Sequence, residues 1–269
     1  MVGDRSGGES GPGAGGGTLV RMAEGRGELT VFDDDVFLAS YPRSGNTWLR
    51  FGVSNLAGDT PTTFDDFDER IPDVYRRSDD ELSRRPRPRL LKTHERHDPA
   101  YPTVVYVVRD PRAVARSFHR YLRMRELIAG EVSLEAFLPG FVDGEVPFGS
   151  WHEHVDGWLR ARSGDPHFLV VHYEDMLRDP RRCLRRAADL IGLPADAAAV
   201  DRAVELSSRE RMRALEDEYR GRGEGRWLRG ARREIPFVGA AREDDEGATA
   251  PMALVEERWG SLMRALGYL

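Results

Sequence analysis

Short apolar runs alternate with stretches of helical periodicity along most of this chain. The apolar runs predict buried strands at Val36–Ala39, Leu90–Lys92, Tyr101–Val108 and Phe168–Val171. Apolar residues at helical spacing predict helices through Trp48–Leu56, Val114–Leu122, Trp151–Leu159, Arg181–Ile191, Ala197–Leu206 and Pro251–Leu266. Strands that alternate with helices predict an α/β fold, with a parallel sheet flanked by helices in a single domain.

Polar clusters follow the carboxyl ends of the predicted strands. They are Arg43-Ser44, Lys92-Thr93-His94, Arg109-Asp110 and Tyr173-Glu174. Ligands of open parallel sheets bind beyond the carboxyl ends of the strands. We therefore expect the four clusters to meet at one edge of the sheet and to form a binding site there.

The loop after the first strand has the composition of an anion site. Arg43-Ser44-Gly45-Asn46-Thr47 separates the strand from a helix, which aims backbone N–H groups and a helix N-terminus at one point. Gly45 lets the backbone approach a ligand closely, and the hydroxyl groups of Ser44 and Thr47 add donors. The expected ligand is a phosphate or a sulfate. The alternative is an ordinary strand-to-helix turn capped by Asn46 or Thr47.

This loop differs from the Walker A sequence of the P-loop kinases. That pattern requires a Gly-Lys pair, and the chain contains none. Tyr41–Trp48 resembles instead the 5′-phosphosulfate loop Y-P-K-S-G-T-T-W of the cytosolic-type sulfotransferases, which use 3′-phosphoadenosine-5′-phosphosulfate (PAPS). Arg43 takes the place of the Lys in that motif, and Asn46 takes the place of its first Thr. The resemblance implies a sulfotransferase fold that is similar to the P-loop nucleotide kinases.

Two further segments are similar to motifs of the same family. Arg109 and Ser117 match its 3′-phosphate motif, an Arg at a strand end with a Ser in the next helix. Lys92-Thr93-His94 matches its K-T-H segment, in which the His is the general base and the Lys contacts the transferring sulfuryl group. Lys92 is also the only lysine among the 40 basic residues of the chain. The resemblance thus implies His94, Lys92 and Arg43 as catalytic residues.

Weaker matches concern the rest of the nucleotide. Trp48 corresponds to the Trp that stacks on adenine in the family, with core packing as the alternative. Tyr173 matches a Tyr that contacts the nucleotide, and Ser207 and Arg209 fall where the family carries T-S-F. The complete set of implied nucleotide-binding residues is Arg43, Ser44, Gly45, Asn46, Thr47, Trp48, Arg109, Ser117, Tyr173, Ser207 and Arg209.

The chain departs from the family pattern late in the sequence. The family closes its 3′-phosphate site with an R-K-G-x-x-G-x-W loop, and the corresponding stretch here, Phe237–Gly247, is acidic and keeps only Arg242. Arg220–Trp227 is basic and ends in Gly-x-Trp, but it comes earlier in the chain. The sequence leaves open which of the two segments caps the site.

The composition of the chain limits the ligands, the covalent cross-links and the cellular location that we expect. The net charge of −6 argues against a general nucleic-acid binder, and the single cysteine, Cys183, excludes an internal disulfide and a Cys-based metal site. No apolar run approaches the ~20 residues of a membrane span. The N-terminus lacks an apolar signal core, so a cytoplasmic protein is expected. The Gly-rich residues 1–27 predict a disordered tail that precedes a sulfotransferase domain at 28–269, and the Arg-rich composition suggests a bacterial member of the family.

The resemblance implies an enzyme that transfers a sulfuryl group from PAPS to a hydroxyl of a small-molecule or glycan acceptor. It implies no metal, and a monomer or homodimer is expected. Two alternatives stay open at this point. One is a P-loop nucleotide kinase, and the other is a non-catalytic protein that binds a nucleotide.

Overall fold

Four parallel strands form the sheet of this chain, in the order β2-β1-β3-β4. A computed structural model describes residues 27–222, 232, 234–239 and 252–269; the tail expected at residues 1–27 therefore lies outside the described residues, apart from Gly27. The strands are β1 (Val36–Ser40), β2 (Leu90–Thr93), β3 (Thr103–Val108) and β4 (Phe168–His172). All four match predicted strands, and the parallel α/β fold is confirmed.

Helices connect the strands and cover both faces of the sheet. They are α1 (Asn46–Ala57), α2 (Phe67–Arg70), α3 (Asp79–Ser83), α4 (Pro111–Met124), α5 (Leu134–Val142), α6 (Trp151–Ala161), α7 (Tyr173–Arg178), α8 (Pro180–Ile191), α9 (Ala197–Leu206), α10 (Arg209–Gly221) and α11 (Ala253–Ala265). Within the described residues, no helix is both long enough and apolar enough to cross a membrane.

The ends of two helices follow local chemistry that the sequence displays. The Asp110 carboxylate accepts the backbone N–H of Arg112 at 2.8 Å and so caps α4, whose first residue is Pro111. Gly192 ends α8 in the left-handed conformation, with φ of 71°. These caps fix where α4 leaves the end of β3 and where α8 stops.

The side chains of β1 alternate between two hydrophobic layers. Phe37 and Ala39 point into the layer formed with α4, α5, α6 and α11, while Leu38 points into the layer formed with α1, α8 and α9. The strand is buried on both faces, as its continuous apolar sequence predicts.

A buried ion pair joins the amino-terminal ends of β1 and β2. The side chains of Arg89 and Asp35 are both fully buried, with Nε and Oδ1 2.8 Å apart, and Arg89 also donates to the carbonyl of Thr30 at 2.7 Å. This pair ties the segment before β1 to the entry of β2. It lies at the edge of the sheet opposite to the polar clusters.

We predict that Arg89→Ala lowers the free energy of unfolding by about 3–5 kcal/mol, because it leaves the Asp35 carboxylate buried without its cation. Arg87 is the matched control, since it pairs with Asp33 and Asp34 at the surface with 42% of its side chain exposed. Arg87→Ala should cost much less than Arg89→Ala, because an ion pair at the surface contributes little to stability. Urea denaturation followed by circular dichroism measures both, and equal losses would contradict this assignment.

Candidate active site

The loop between β1 and α1 is shaped by Gly45. This residue precedes α1 with φ of 101°, a left-handed conformation that favours glycine. A Cβ atom at Gly45 would lie 2.5 Å from Cδ2 of Tyr173, so the loop packs directly against that ring. The first N–H groups of α1 have no acceptor within the helix. They open toward the carboxyl edge of the sheet, where an anion can accept them.

Two polar side chains of this loop have different roles. The Ser44 hydroxyl is buried and has no hydrogen-bond partner in the described part of the chain. Asn46 instead uses its amide nitrogen within the loop, donating to the carbonyl of Leu38 at 2.9 Å and to Oγ of Ser40 at 3.3 Å. Asn46 therefore anchors the loop to β1. The Ser44 hydroxyl is an unused donor of the kind that an oxyanion satisfies.

A cavity of about 460 Å³ opens at this edge of the sheet. Seven arginines and Lys92 line it, together with a single described carboxylate, Asp73. The arginines are Arg43, Arg50, Arg76, Arg109, Arg120, Arg125 and Arg209. Positive charge is thus concentrated in one cleft of a chain whose net charge is −6. The described residues include no group of His, Cys, Asp and Glu side chains arranged to hold a metal ion.

His94 lies at one end of the cavity, just beyond β2. Its Nδ1 is 2.7 Å from the carbonyl oxygen of Ser40, so Nδ1 carries the proton and donates it, and Nε2 keeps the lone pair. Burial, followed by the positive charge of Lys92, lowers the pKa of His94 well below 6.5. The imidazole is therefore neutral near pH 7 and can accept a proton at Nε2.

Helix α6 supports the backbone around His94. Nε2 of His154 donates to the carbonyl of His94 at 2.9 Å, while its Nδ1 accepts from the Tyr106 hydroxyl at 2.8 Å. Burial lowers the pKa of His154 to about 4, which keeps this ring neutral. Nε1 of Trp158 donates to the carbonyl of Glu95 at 3.0 Å. His154 is thus a buried structural residue that holds His94 in position.

Lys92 forms an ion pair that the sequence analysis did not predict. Its Nζ lies 3.0 Å from Oδ2 of Asp73, and the other oxygen of Asp73 accepts the backbone N–H of Tyr75 at 3.1 Å. Burial lowers the pKa of Lys92. Burial would raise the pKa of Asp73, but the charges of Lys92 and Arg50 outweigh it and lower that pKa. Asp73 lies in a Pro-rich connection without a motif, which is why no sequence signal marked it.

The opposite end of the cavity brings Arg109, Ser117 and Arg43 together. Arg109 donates from Nη1 to the carbonyl of Arg43 at 3.2 Å, and its guanidinium lies 4.1 Å from the centre of the Tyr173 ring. Nε of Arg43 donates to Oγ of Ser117 at 3.2 Å. The two segments that resembled phosphate motifs therefore adjoin each other. The side chain of Arg43 lies on the Ser117 side of the loop.

Trp48, Tyr173 and Arg209 form a third group along the cavity wall. The Trp48 and Tyr173 rings meet edge to face with centroids 5.8 Å apart, and Arg209 donates to the Tyr173 hydroxyl at 3.2 Å. Nε1 of Trp48 donates to the carbonyl of Ser207 at 2.7 Å. The Ser207 hydroxyl is buried beside Asn55, whose amide donates to it at 3.0 Å, and it is not among the described cavity-lining residues.

Comparison with known proteins identifies the family. The model of the sulfotransferase domain matches residues 33–222 of the chain. The chain belongs to the sulfotransferase family. Mouse sulfotransferase 2B1 is 30% identical over 199 residues, which are 68% of this chain and 57% of that protein. Mouse sulfotransferase 1E1 is 31% identical over 196 residues, 67% of this chain and 66% of that protein.

Solved structures show the same fold. Mouse sulfotransferase SULT7A1 complexed with PAP has a TM-score of 0.68 at 22% identity, covering 88% of this chain and 86% of that chain. Retinol dehydratase in complex with androsterone and the inactive cofactor PAP has a TM-score of 0.68 at 21% identity, covering 88% of this chain and 82% of that chain. The single-domain sulfotransferase fold is thereby confirmed.

A short segment of the chain, residues 235–239, reaches the cavity with its last three residues, and we call it the strap. The buried Glu216 carboxylate of α10 accepts the backbone N–H groups of Phe237 and Val238, each at 2.7 Å. Arg220 pairs with Glu216 at 2.7 Å and donates to the carbonyl of Ile235 at 2.9 Å. These bonds fix the strap to α10. No motif pointed to Glu216.

The two cap candidates of the sequence analysis are only partly described. In Phe237–Gly247, residues 240–247 lie outside the described residues, and in Arg220–Trp227, residues 223–227 do. Phe237, Val238 and Gly239 line the cavity, whereas the described part of the second candidate, Arg220–Arg222, does not. The described residues thus place only the first candidate at the cavity.

We predict that Glu216→Gln loosens the strap, because one carboxamide oxygen cannot replace two carboxylate oxygens that bind two N–H groups and Arg220. The free energy of unfolding should fall by about 1–3 kcal/mol. Amide hydrogen exchange at Phe237 and Val238 should become faster. Glu210→Gln, at an exposed position of the same helix, is the control and should change neither quantity. Unchanged exchange in Glu216→Gln would show that the strap is held by other contacts.

Proposed function

We propose that this sulfotransferase transfers a sulfuryl group from PAPS to a hydroxyl group of a small-molecule or glycan acceptor. One observation carries the proposal, namely the order of side chains along the carboxyl edge of the sheet. Because the strand order is β2-β1-β3, the anion loop lies between His94 on one side and Arg109 on the other. PAPS carries a reactive 5′-phosphosulfate at one end and a 3′-phosphate elsewhere on the ribose. Its sulfuryl group can therefore face His94 while its 3′-phosphate faces Arg109.

The residues at the cavity fit the parts of this nucleotide. The N–H groups at the start of α1, with the hydroxyl groups of Ser44 and Thr47, would hold the 5′-phosphosulfate. Arg109 and Ser117 would hold the 3′-phosphate, since a guanidinium binds a phosphate through two parallel hydrogen bonds. Trp48, Tyr173 and Arg209 would contact the base. Gly45 and Asn46 shape the loop, and the carbonyl of Ser207 orients Trp48.

The chemistry assigned to the β2 end is proton removal from the acceptor. The acceptor oxygen attacks the sulfur, the bond from sulfur to the phosphate oxygen breaks, and Nε2 of His94 takes the proton that the hydroxyl loses. The ammonium of Lys92 would stabilise the negative charge that builds on the leaving phosphate oxygen. Oδ2 of Asp73 lies 3.0 Å from the Lys92 ammonium and keeps it at the same end of the cavity as His94.

The wall beyond His94 suits an acceptor with a flat apolar portion. The Phe148 ring lies 5.5 Å from the His94 ring and 5.4 Å from the Tyr75 ring, centre to centre. All three residues line the cavity. An acceptor ring could pack against these aromatic side chains while its hydroxyl faces Nε2 of His94.

The decisive experiment combines binding with product analysis. We expect adenosine 3′,5′-bisphosphate (PAP) to raise the melting temperature more than ATP does, since a ligand at 100 times its dissociation constant adds about 2.7 kcal/mol. Incubation with PAPS and a panel of phenols, alcohols and glycans should release PAP and yield a sulfated product in equal amounts. Conversion of ATP to ADP would support a nucleotide kinase instead. PAP binding without transfer to any acceptor would support a non-catalytic nucleotide-binding protein.

We predict that His94→Ala slows sulfuryl transfer by about 10²–10⁴-fold, because the acceptor loses its base. PAP affinity should stay within a few-fold of the parent, since the base need not touch the nucleotide. His97→Ala is the control, because the His97 ring packs 5.2 Å from Trp158 and is not among the described cavity-lining residues. The rate of sulfuryl transfer is measured for each variant with PAPS and one acceptor that the parent protein uses. Transfer at the parental rate in His94→Ala would mean that another residue is the base.

The pH profile gives a second prediction for His94. The neutral imidazole is the active form, and the pKa of His94 is lowered well below 6.5. Transfer at saturating substrates should therefore be constant from about pH 8 down to about pH 6.5, the ordinary pKa of histidine, and fall only below it. Half-maximal activity at or above pH 6.5 would contradict the buried, neutral base.

A further inference from the structure

Helix α4 presents one face to the cavity, and this face carries more charge than the predicted phosphate residues supply. Ser117, Arg120 and Tyr121 are spaced at i, i+3 and i+4, so they lie side by side on the helix. All three line the cavity. Arg120 and Ser117 are therefore neighbours in the cavity lining.

The strap packs directly against Arg120. A Cβ atom on Gly239 would lie 2.3 Å from Nη2 of Arg120, so the guanidinium occupies the space that a side chain at residue 239 would take. Gly239 and Arg120 both line the cavity. Gly239 of the strap thus leaves space at this position, and the guanidinium of Arg120 from α4 fills it.

Arg43, from the loop after β1, also contacts Ser117. Its guanidinium lies between two rings, 4.9 Å from the centre of Tyr121 and 4.5 Å from the centre of Phe237. Nε donates to Ser117 at 3.2 Å, and Nη2 donates to the carbonyl of Phe237 at 3.3 Å. The two rings hold the guanidinium beside Ser117 through cation–π contacts.

We propose that Arg120 and Arg43 complete, with Arg109 and Ser117, a subsite for a phosphate monoester dianion, and that Arg120 sets the preference for a 3′-phosphorylated nucleotide. Guanidinium groups suit this task because they stay charged and bind phosphate oxygens bidentately. The cations come from α4, from the end of β3 and from the β1 loop, while the strap contributes Val238 and Gly239 to the cavity wall. This inference rests on the proposed function.

The test compares two nucleotides that differ only in the 3′-phosphate. Titration calorimetry on the full chain measures the dissociation constants of PAP and of adenosine 5′-monophosphate. Loss of one charge-assisted hydrogen-bonding partner in Arg120→Gln should weaken PAP binding by about 10-fold to 100-fold. The affinity for adenosine 5′-monophosphate should change by less than about threefold, because this nucleotide lacks the 3′-phosphate that Arg120 would contact.

Three further variants separate charge, position and folding. Arg185→Gln removes the same charge from an exposed position of α8 and should leave both affinities unchanged. Arg120→Lys keeps the charge and should recover part of the loss. Gly239→Ala keeps every charge but displaces the Arg120 guanidinium, so it should also weaken PAP binding selectively. Thermal denaturation followed by circular dichroism establishes that each variant is folded.

The outcomes distinguish this inference from the function beneath it. A parent protein that binds PAP, with unchanged PAP affinity in Arg120→Gln, would overturn the inference and leave the proposed function standing. Equal losses for PAP and adenosine 5′-monophosphate would also overturn it, since Arg120 would then only brace the strap. A parent protein that neither binds PAP nor transfers sulfate from PAPS would overturn the proposed function itself.

Discussion

The parallel pairing of β1 with both of its neighbours is the constraint on which the site depends. Ala39 lies opposite Thr93 on β2 and opposite Tyr106 on β3, so the three strands end at nearly the same height. One step beyond this register, the carbonyl of Ser40 meets Nδ1 of His94 at 2.7 Å. Strand register thereby sets His94 beside the anion loop, and the Ser40 carbonyl fixes which ring nitrogen is protonated.

The cavity concentrates many positive charges, and few of the described carboxylates lie near them. Asp73 offsets the charge of Lys92, and Glu216 binds Arg220 and the strap, but the arginines that line the cavity greatly outnumber the carboxylates described there. The positive charges that line the cavity attract an anionic ligand. The charge distribution of the site therefore favours the binding of phosphate and sulfate groups.

The features that could be predicted from sequence are those set by neighbours in the chain. The buried strands follow such a rule, and the structure confirms them. The Asp110-Pro111 start of α4 and the Gly192 end of α8 follow local rules of the same kind. Helix α5 was not predicted. It contains Pro139, and packing of its aromatic side chains into the core outweighs the low helix propensity of proline.

Long-range partners could not be predicted, because no local pattern encodes them. Asp73 meets Lys92 across the sheet edge, and Glu216 meets the strap from a helix whose sequence reads as an ordinary charged surface. Motif matching also gives the position of a residue without the direction of its side chain. Ser207 is the clearest example, since its hydroxyl faces Asn55 while its carbonyl binds Trp48.

A crystal structure of the complex with PAP tests the central claim most directly. The account predicts the 5′-phosphate within hydrogen-bond distance of the N–H groups that start α1, and the 3′-phosphate beside Arg109 and Ser117. His94 should then lie on the far side of the 5′-phosphate, facing open space for an acceptor. A nucleotide bound in the reverse direction, with its 3′-phosphate near His94, would contradict the order of chemistry along the sheet edge.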